Sequence, residues 1–214
     1  MTVRKVVWRL VYGLLARRVR APEWAFMNYG FAPLDFDGDK SSALPALLAG
    51  DEPDRLCIQL YEHALGGADL EDLEVLEVGS GRGGGASYLS RYRRPRSVLG
   101  VDFSQSAVDL CRRERRGPGL TFVRGDALSL PAPDASFDAV VNIESSHCYE
   151  SMPRFLSEVH RVLRPGGHFY FADLRDRSAV ALLEEQLAHS GLELEAITDI
   201  TQHVLAALRL DNAR

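Results

Sequence analysis

One short stretch limits the fold of this chain more than any other, because it joins an apolar run to a helix through a turn crowded with glycine. Residues 75–90 read VLEVGSGRGGGASYLS, and five glycines fall between positions 79 and 85. Glycine permits a tight turn and lets the backbone approach a ligand without interference from a Cβ atom. N–H groups at the start of the following helix favour a negative group. The stretch therefore predicts a strand–turn–helix unit that binds a nucleotide-like ligand with an anionic end.

From residue 54 onward, the chain repeats this alternation of apolar strands and helices. Six runs are predicted to be strands: EVLEVG, SVLGVDF, LTFVRGDA, FDAVVNIESS, HFYFADL and LELEAITDI. Helices are predicted over DRLCIQLYEHAL, ASYLSRY, SQSAVDLCRRERR, PRFLSEVHRVL and SAVALLEEQLAHSG, and over the final residues. Near-continuous apolar strands between helices indicate a parallel sheet covered on both faces. We therefore expect an α/β fold, a doubly wound, Rossmann-like and mostly parallel sheet flanked by helices.

Two regions are expected along the chain, an N-terminal helical or lid segment at residues 1–53 and a ligand-binding domain at residues 54–214. The stretch TVRKVVWRLVYGLLARRVR mixes arginines with apolar residues. Such a pattern favours a helix that packs its apolar face on the domain, and a basic amphipathic helix in peripheral contact with a membrane is the alternative. No apolar run reaches the ~18–20 residues of a membrane span.

Composition narrows the class of function. The formal net charge of the 214-residue chain is −5, which argues against a nucleic-acid partner and for a small-molecule substrate. The clusters CRRERR and RYRRPR are interpreted as solvated surfaces, because acidic residues outnumber basic ones. The three cysteines have no metal-like spacing, so we expect a reduced, cytoplasmic protein with no metal site.

The nature of the ligand depends on charges near the glycine turn. Gly79, Gly81 and Gly84 match G-x-G-x-x-G, and Asp102 lies 21 residues after Gly81, where a carboxylate can accept hydrogen bonds from ribose hydroxyls. Both features fit a dinucleotide as well as an adenosine compound. Glu77 is awkward beside a diphosphate but suits a ligand with an ammonium group. Asp126, after the third predicted strand, can accept from an adenine amino group.

The scarcity of lysine removes several other chemistries. Only Lys5 and Lys40 occur, and both lie outside the alternating region. A Tyr-x-x-x-Lys dehydrogenase site, a P-loop lysine and a Schiff base in the core are therefore excluded. S-adenosylmethionine, which has an amino-acid end, a ribose and an adenine, fits the remaining requirements.

Four motifs in order resemble those of class I S-adenosylmethionine-dependent methyltransferases: VLEVGSGRGGG, GVDFSQSAV, FVRGDALSLPAPDASFDAVVNIESSHCY and FLSEVHRVLRPGGHFYFADL. The stretches FMNYGF, GGGASYLSR, SHCYESMPRFLSEV and VLRPGGHFYFADLR are similar to the phthiotriolone and phenolphthiotriolone dimycocerosate methyltransferases, which methylate hydroxyls of lipid polyketides. The resemblance implies O-methylation of a small or lipid-like secondary metabolite, of polyketide or sugar type.

The resemblance also implies a role for particular residues. Those implied to bind the cofactor are Glu77, Gly79, Gly81 and Gly83 at the methionine end, Asp102 at the ribose, Phe103, Asp126 and Ala127 at the adenine, and Asn142 with Glu144 near the sulfonium. Tyr29 and Gly30 are implied to close over the cofactor. Three of these have plainer interpretations: Asp126 as a loop cap, Phe103 as a core residue and Tyr29 as a packing aromatic.

A hydroxyl acceptor must lose its proton, and the stretch NIESSHCYE offers two groups that can take it. His147 titrates near neutral pH and is the first candidate for the general base. Glu144 is the second, either as the base or as the group that orients His147. The alternative is that His147 only packs a loop. His160 and His168 fall within a predicted helix and strand, and Cys148 has no partner pattern of a nucleophile.

Three other functions stay open from the sequence: N- or C-methylation of a metabolite, a non-catalytic cofactor-binding domain and a nicotinamide oxidoreductase. The methyltransferase fold implied by the resemblance has seven strands, and the seventh is missing here. After LELEAITDI the chain reads TQHVLAALRLDNAR, which is predicted to be helical. Since an open edge strand is a pairing hazard, the chain is expected to be a fragment or to be completed by another subunit, as in a homodimer.

Overall fold

The computed structural model describes residues 24–34 and 46–211. Its strands are β1 (Glu74–Val78), β2 (Ser97–Asp102), β3 (Leu120–Arg124), β4 (Phe137–Ile143) and β5 (Leu163–Ala172). Its α-helices are α1 (Arg55–Leu65), α2 (Gly84–Tyr92), α3 (Gln105–Glu114), α4 (Met152–Val162), α5 (Arg177–Ala188) and α6 (Thr201–Asp211). The predicted alternation of strands and helices is confirmed as far as β5. The basic stretch before residue 21 lies outside the described residues.

The five strands form one parallel sheet in the order β3-β2-β1-β4-β5. Val75 of β1 pairs with Val98 of β2 on one side and with Ala139 of β4 on the other. The chain therefore builds outward from β1 to β3 and then crosses to the other side of β1. In such a sheet, the carboxyl ends of β1 and β4 flank the crevice where ligands bind.

Both faces of the sheet are covered, because side chains alternate along each strand. Val75 belongs to the apolar cluster beneath α1, α2 and α3, whereas Leu76 and Val78 belong to the cluster beneath α4. The inner side of α4 carries Phe155 and Val159, four residues apart, and both are fully buried. Ser104 caps α3 by accepting a hydrogen bond from the Ala107 amide.

The prediction of a sixth strand over LELEAITDI is wrong. Residues 192–200 have no regular secondary structure in the described chain, and Leu194 and Ile197 are more than half exposed. A side-chain contact of 3.3 Å between Glu195 and His168 of β5 brings this stretch near the sheet edge. No backbone pairing accompanies it, so the alternating pattern has neither a ladder partner nor a buried face. The helix predicted after it is confirmed as α6.

The fifth strand begins earlier than predicted, at Leu163 rather than at His168, directly after α4. Leu163 pairs with Phe137, and a register shift then leads to the pairing of His168 with Ala139. Gly166 has a φ of 79° within this irregular part. The Pro-Gly-Gly sequence is therefore accommodated at the irregular start of the strand instead of separating it from the helix.

Residues 24–34, termed the N-terminal segment, lie against α1 and α6. The Phe31 amide donates to the Leu56 carbonyl at 2.9 Å. The Phe31 ring is stacked between His63 of α1 and His203 of α6, with ring centroids 4.3 and 4.4 Å apart. This stack joins the two ends of the described chain. Among the described helices, none has the length and apolar character needed to cross a membrane.

Candidate active site

A cavity of about 620 Å³ opens at the carboxyl ends of β1, β2 and β4. It is bounded by the glycine turn after β1, the ends of β2 and β4, the loop after β3 and the start of the N-terminal segment. The predicted site residues on its surface are Gly79, Gly81, Asp102, Phe103, Asp126, Ala127 and Glu144. The other predicted site residues, Tyr29, Gly30, Glu77, Gly83, Asn142 and His147, lie around the cavity but not on its surface.

The glycine turn forms one side of the cavity. The amides of Gly79 and Ser80 both donate to the Val101 carbonyl, at 2.8 and 3.0 Å, and so fix the turn to β2. Gly79 has a φ of 77°, and a Cβ atom there would overlap the Ser145 hydroxyl. Only glycine fits this position, because both the backbone angle and the space exclude a side chain. The turn therefore brings bare backbone to the cavity, as predicted.

Asp102 closes β2 and holds the turn from the other side. Its Oδ2 accepts from the Gly81 amide at 2.8 Å, and its Oδ1 accepts from the Ser104 amide at 2.8 Å. Burial raises the pKa of Asp102, and these two backbone hydrogen bonds oppose that effect. Each oxygen keeps a further lone pair. The carboxylate is thus oriented at the edge of the cavity, where it can accept from ligand hydroxyls.

Glu77 lies beneath the turn with 1% of its surface exposed. Its Oε1 accepts from the Tyr61 hydroxyl at 2.6 Å, whereas its Oε2 has no hydrogen-bond partner among the described residues. Burial raises the pKa of Glu77 to about 7, although the Tyr61 hydroxyl and the Ala86 amide lower it. A buried carboxylate oxygen without a partner is unfavourable, so this atom is suited to a ligand that brings a donor.

Asn142 ties the end of β4 to β1. Its Nδ2 donates to the Val78 carbonyl at 2.8 Å and to the Tyr149 hydroxyl at 3.0 Å. The residue is fully buried, and within the described chain its Oδ1 has no partner. Asn142 therefore positions Tyr149 and Val78, which do line the cavity, and keeps one acceptor unused.

The loop after β3 supplies the opposite side. Its residues Asp126 and Ala127 line the cavity, as does Phe103, which directly follows β2. Asp126 Oδ1 accepts from the Leu128 amide at 3.0 Å, as in a loop cap. Asp126 therefore caps the loop and also borders the cavity, and its contact with an adenine stays a prediction.

Glu144 lines the cavity directly after the end of β4. It accepts a hydrogen bond from the Tyr29 amide at 2.9 Å, which brings the N-terminal segment to this point. Burial raises the pKa of Glu144 to about 7, and the Tyr29 amide opposes that rise. Tyr29 itself is 53% exposed, and Gly30 packs against Leu56 of α1. At position 29 the segment thus contacts Glu144 through the backbone amide and not through the tyrosine ring.

His147 is held by a residue that the sequence analysis missed. Its Nδ1 lies 2.7 Å from Oδ1 of Asp173, whose side chain is fully buried just beyond β5. The Ser146 hydroxyl and the His147 amide donate to Oδ2 of the same carboxylate, at 2.6 and 2.9 Å. The signal was present as ADLR, a carboxylate at the end of β5, but only the sheet order brings it to His147.

The charge state of this pair follows from the contacts. Burial lowers the pKa of His147, but hydrogen bonds to Asp173 and Cys148 outweigh it and raise that pKa to about 10. Burial raises the pKa of Asp173, and the hydrogen bonds from His147 and Ser146 reverse the effect and lower it. Both shifts favour the charged forms of the pair, an imidazolium beside a carboxylate. Its neighbour Cys148 lines the cavity.

Two further residues near the cavity were not singled out from the sequence. Arg82, within the glycine turn, donates from Nε to the Trp24 carbonyl at 2.5 Å, and its guanidinium lies 5.1 Å from the centroid of the Trp24 ring. Tyr61 of α1 lines the cavity and contacts Glu77. Both contacts join segments far apart in sequence, so no local pattern could have indicated them.

Comparison with known proteins agrees with this geometry. Residues 76–171 match a protein family described as a methyltransferase domain. The chain is 45% identical over 204 residues to a phthiotriol/phenolphthiotriol dimycocerosates methyltransferase of Mycobacterium tuberculosis, covering 95% of this chain and 73% of that protein. It is 45% identical over 186 residues to a fatty-acid O-methyltransferase of Mycolicibacterium smegmatis, covering 87% and 66%.

A solved structure supports the fold. The crystal structure of geranyl diphosphate C-methyltransferase from Streptomyces coelicolor A3(2) superposes with a TM-score of 0.69 at 19% identity. The match covers 99% of this chain and 88% of that one. At this level of identity the likeness concerns the architecture alone, a Rossmann-like sheet with helices on both faces.

Proposed function

The chain belongs to the S-adenosylmethionine-dependent methyltransferases, and from that premise we propose that it methylates a hydroxyl group on a small or lipid-like secondary metabolite. The observation that carries this proposal is the pair of proton-accepting groups at the end of β4, Glu144 on the cavity surface and His147 beside it. The names of the two relatives, which act on a phthiotriol lipid and on a fatty acid, support the choice of oxygen and of a lipid. Membership of this family removes the oxidoreductase alternative.

The residues present fit the cofactor. A partnerless buried oxygen of Glu77 suits the ammonium group, and the exposed backbone at Gly79 and Gly81 suits the remainder of the methionine end. The two oxygens of Asp102 suit the ribose hydroxyls. The proposed cofactor-binding residues are Glu77, Gly79, Gly81, Gly83, Asp102, Phe103, Asp126, Ala127 and Asn142.

Tyr29 and Gly30 are proposed to close the cavity over the cofactor. Support comes from the hydrogen bond between the Tyr29 amide and Glu144, which draws the N-terminal segment across the end of β4. Gly30 has a φ of 79° and packs against Leu56, so it turns the segment onto α1. Closure of this kind excludes water from the reacting groups.

The bound cofactor supplies a methyl group that is already activated by its sulfonium. The chain must therefore align the acceptor, exclude water and remove the hydroxyl proton. Orientation can contribute up to ~7–11 kcal/mol to such a transfer, and a positioned base typically ~10²–10⁴-fold in rate. The base is thus a smaller but testable part of catalysis.

His147 is the proposed base, and Glu144 is the second candidate. The hydrogen bond from Nδ1 to Asp173 favours the tautomer that leaves Nε2 free of a proton in the neutral ring. Because Asp173 raises the pKa of His147, the neutral ring is the minor form at pH 7, and a rate that depends on it increases with pH. Glu144 would instead give a rate that increases near pH 7.

The proposal is tested in two steps. Titration calorimetry is expected to show binding of S-adenosylhomocysteine and no binding of NADH. Wild type and His147→Ala are then incubated with methyl-labelled S-adenosylmethionine and a long-chain alcohol, a long-chain fatty acid or a monosaccharide.

We expect an O-methylated product from wild type, identified by its methoxyl resonance, and a rate lower by ~10²–10⁴-fold in His147→Ala with unchanged S-adenosylhomocysteine affinity. Methyl transfer to carbon or nitrogen would contradict the choice of acceptor. Cofactor binding without transfer to any acceptor class would favour a non-catalytic domain.

A further inference from the structure

We propose that Tyr61 is a positioning residue that holds the Glu77 carboxylate ready for the ammonium end of the cofactor. This inference rests on the role proposed above for Glu77. Tyr61 lies in the middle of α1, far in sequence from the glycine turn and its motif. Nothing in the local pattern DRLCIQLYEHAL distinguishes it from an ordinary core residue.

The first support is the contact itself. The Tyr61 hydroxyl donates to Glu77 Oε1 at 2.6 Å. Both residues are buried, with 7% of Tyr61 and 1% of Glu77 exposed. The contact occupies one carboxylate oxygen. The other, Oε2, has no hydrogen-bond partner within the described part of the chain. A carboxylate fixed at one oxygen and unsatisfied at the other can offer the second oxygen to a ligand.

The second support is the space reserved for this pair. Glu77 shares the face of β1 that Val75 turns towards α1 and α2, because side chains alternate along a strand. Gly85 in the first turn of α2 faces the same point. A Cβ atom at Gly85 would overlap both the Tyr61 hydroxyl and Glu77 Oε1. Absence of a side chain at position 85 is therefore a condition for the hydrogen bond, and Gly85 also lines the cavity.

The third support is the fixed orientation of the Tyr61 ring. Phe26 of the N-terminal segment packs edge-on at 5.9 Å between ring centroids, and Tyr88 of α2 packs edge-on at 6.4 Å. These contacts hold the ring from two sides. The position of the hydroxyl oxygen beside Glu77 is therefore fixed by the packing of the ring.

Charges around Glu77 agree with this role. Burial raises its pKa, and Asp102 from β2 raises it further, whereas the Tyr61 hydroxyl from α1 and the Ala86 amide from α2 lower it. An ammonium group binds the ionised carboxylate and not the neutral acid. Tyr61 therefore favours the charge state that the proposed ligand requires, in addition to fixing the geometry.

Tyr61→Phe separates this role from simple packing, because it removes the hydroxyl and leaves the ring. The matched control is Tyr88→Phe. Tyr88 packs against Tyr61, but its hydroxyl donates to Glu62 at 2.5 Å and not to Glu77. Two probes are titrated into each protein by calorimetry: S-adenosylhomocysteine, which has the ammonium end, and 5′-methylthioadenosine, which lacks it.

For Tyr61→Phe, we expect S-adenosylhomocysteine to bind about tenfold more weakly, as for the loss of one hydrogen bond to a charged group, with methylthioadenosine affinity unchanged. Tyr88→Phe should leave both affinities unchanged. The affinity of wild type for S-adenosylhomocysteine should increase with pH through about 7, and Tyr61→Phe should move this midpoint to higher pH. In a Glu77→Gln background, Tyr61→Phe should add no further loss.

An unchanged S-adenosylhomocysteine affinity in Tyr61→Phe, or equal weakening of both probes, would overturn the inference. So would a full additional loss in the Glu77→Gln background. Failure of wild type to bind either probe would instead overturn the proposed function, and this inference with it. The comparison of the two probes thus distinguishes the two failures.

Discussion

At the scale of single residues, Glu144 combines features that are unfavourable outside a functional site. Its φ of 46° is in the left-handed region, which a non-glycine residue rarely adopts. Its carboxyl group is largely enclosed, with a pKa raised by burial to about 7, and it accepts one backbone hydrogen bond from Tyr29. Strain and burial at one carboxylate, on the surface of the cavity, support the role in chemistry or closure that is proposed for this residue.

Replacement of Asp173 by asparagine is expected to change the pH dependence of methyl transfer. The carboxylate raises the pKa of His147 to about 10, so the rate of wild type should increase with pH towards that value. Asp173→Asn removes the negative charge and lowers the pKa of His147 towards its ordinary 6.5. The rising limb of kcat/KM should therefore move to lower pH, with a smaller maximal rate. Initial rates across the pH range measure this effect.

The matched control for that experiment is Glu144→Gln. If His147 is the base, Glu144→Gln leaves the position of the rising limb where it is in wild type. A wild-type limb near pH 7 that is absent in Glu144→Gln would assign the base to Glu144 instead. The two variants together therefore decide between the two candidates.

Gly79→Ala is expected to disrupt the glycine turn. A left-handed backbone angle costs a side-chain residue roughly 1–2 kcal/mol, and the added Cβ would also overlap the Ser145 hydroxyl. We expect a free energy of unfolding lower by about 2 kcal/mol and S-adenosylhomocysteine affinity lower by at least about tenfold. Urea unfolding and calorimetry measure the two effects. Gly50→Ala is the control, because Gly50 has open space around its Cβ position, and it should be neutral in both assays.

At the scale of elements, the N-terminal segment and α6 are joined by an aromatic stack and by hydrogen bonds between Ala32 and His203. Phe31 lies between His63 and His203, and the His203 Nδ1 lies 3.0 Å from the Ala32 carbonyl. The cluster beneath this part of α6 is small: Ala207 is its only fully buried member from that helix in the described chain. Little apolar surface holds α6 in place, so the stack is expected to be decisive for its docking.

Phe31→Ala should therefore loosen α6 before it affects the sheet. The ring is partly buried, so we expect a loss of about 1–3 kcal/mol, below the usual range for a phenylalanine in the core. Hydrogen exchange should accelerate in Thr201–Asp211 and in residues 24–34, with β1 and β4 unchanged. Leu34→Ala is the control from the same segment, because Leu34 is 60% exposed and should have no effect. Equal acceleration throughout the sheet would contradict a local role.

The sequence predicts an element correctly where the pattern of apolar residues within that element is enough to show that it is buried. The runs that become β1 and β4 are buried at nearly every position, because helices cover both faces of these strands. The stretch at residues 192–200 alternates like an edge strand, but alternation alone does not provide a pairing partner. Whether such a stretch joins a sheet depends on tertiary contacts at β5 that its sequence does not encode.

At the scale of the whole molecule, the same distinction separates the site residues that the sequence predicts from those it misses. Gly79 and Gly81 are predicted because the turn that needs them is local. Asp173 and Tyr61 are missed because their partners, His147 and Glu77, lie 26 and 16 residues away and meet them only through the sheet order and the packing of α1. A local motif predicts the backbone conformation of the site. The contacts that orient its charged groups form only in the folded chain and cannot be predicted from a local motif.

Burial of a charged group of this kind lowers the free energy of unfolding of the unliganded molecule. The folded-state pKa of Glu77 is raised from 4.5 to about 7, so the folded state holds this proton at pH values where the unfolded state has lost it. The contribution of Glu77 to stability is therefore intact below about pH 4.5 and is lost as pH rises towards 7. The shift corresponds to about 3 kcal/mol. An ammonium ligand would offset this penalty, which links stability to cofactor binding.

Glu77→Gln should consequently stabilise the unliganded protein while it weakens S-adenosylhomocysteine binding. At about pH 8 wild type buries the Glu77 charge and Glu77→Gln does not, so we expect the variant to have a free energy of unfolding higher by about 1–3 kcal/mol. The gain is smaller than the full pKa shift of Glu77 implies, because the buried amide still needs hydrogen-bond partners. At about pH 5 the carboxyl group is mostly protonated in the folded state, so the two proteins should be nearly equally stable. Urea unfolding at both pH values measures the difference, with Glu71→Gln, whose side chain is 47% exposed, as a neutral control. The contrary result would be a Glu77→Gln protein that is no more stable than wild type at about pH 8. It would mean that the unliganded site already stabilises the Glu77 charge without a cofactor.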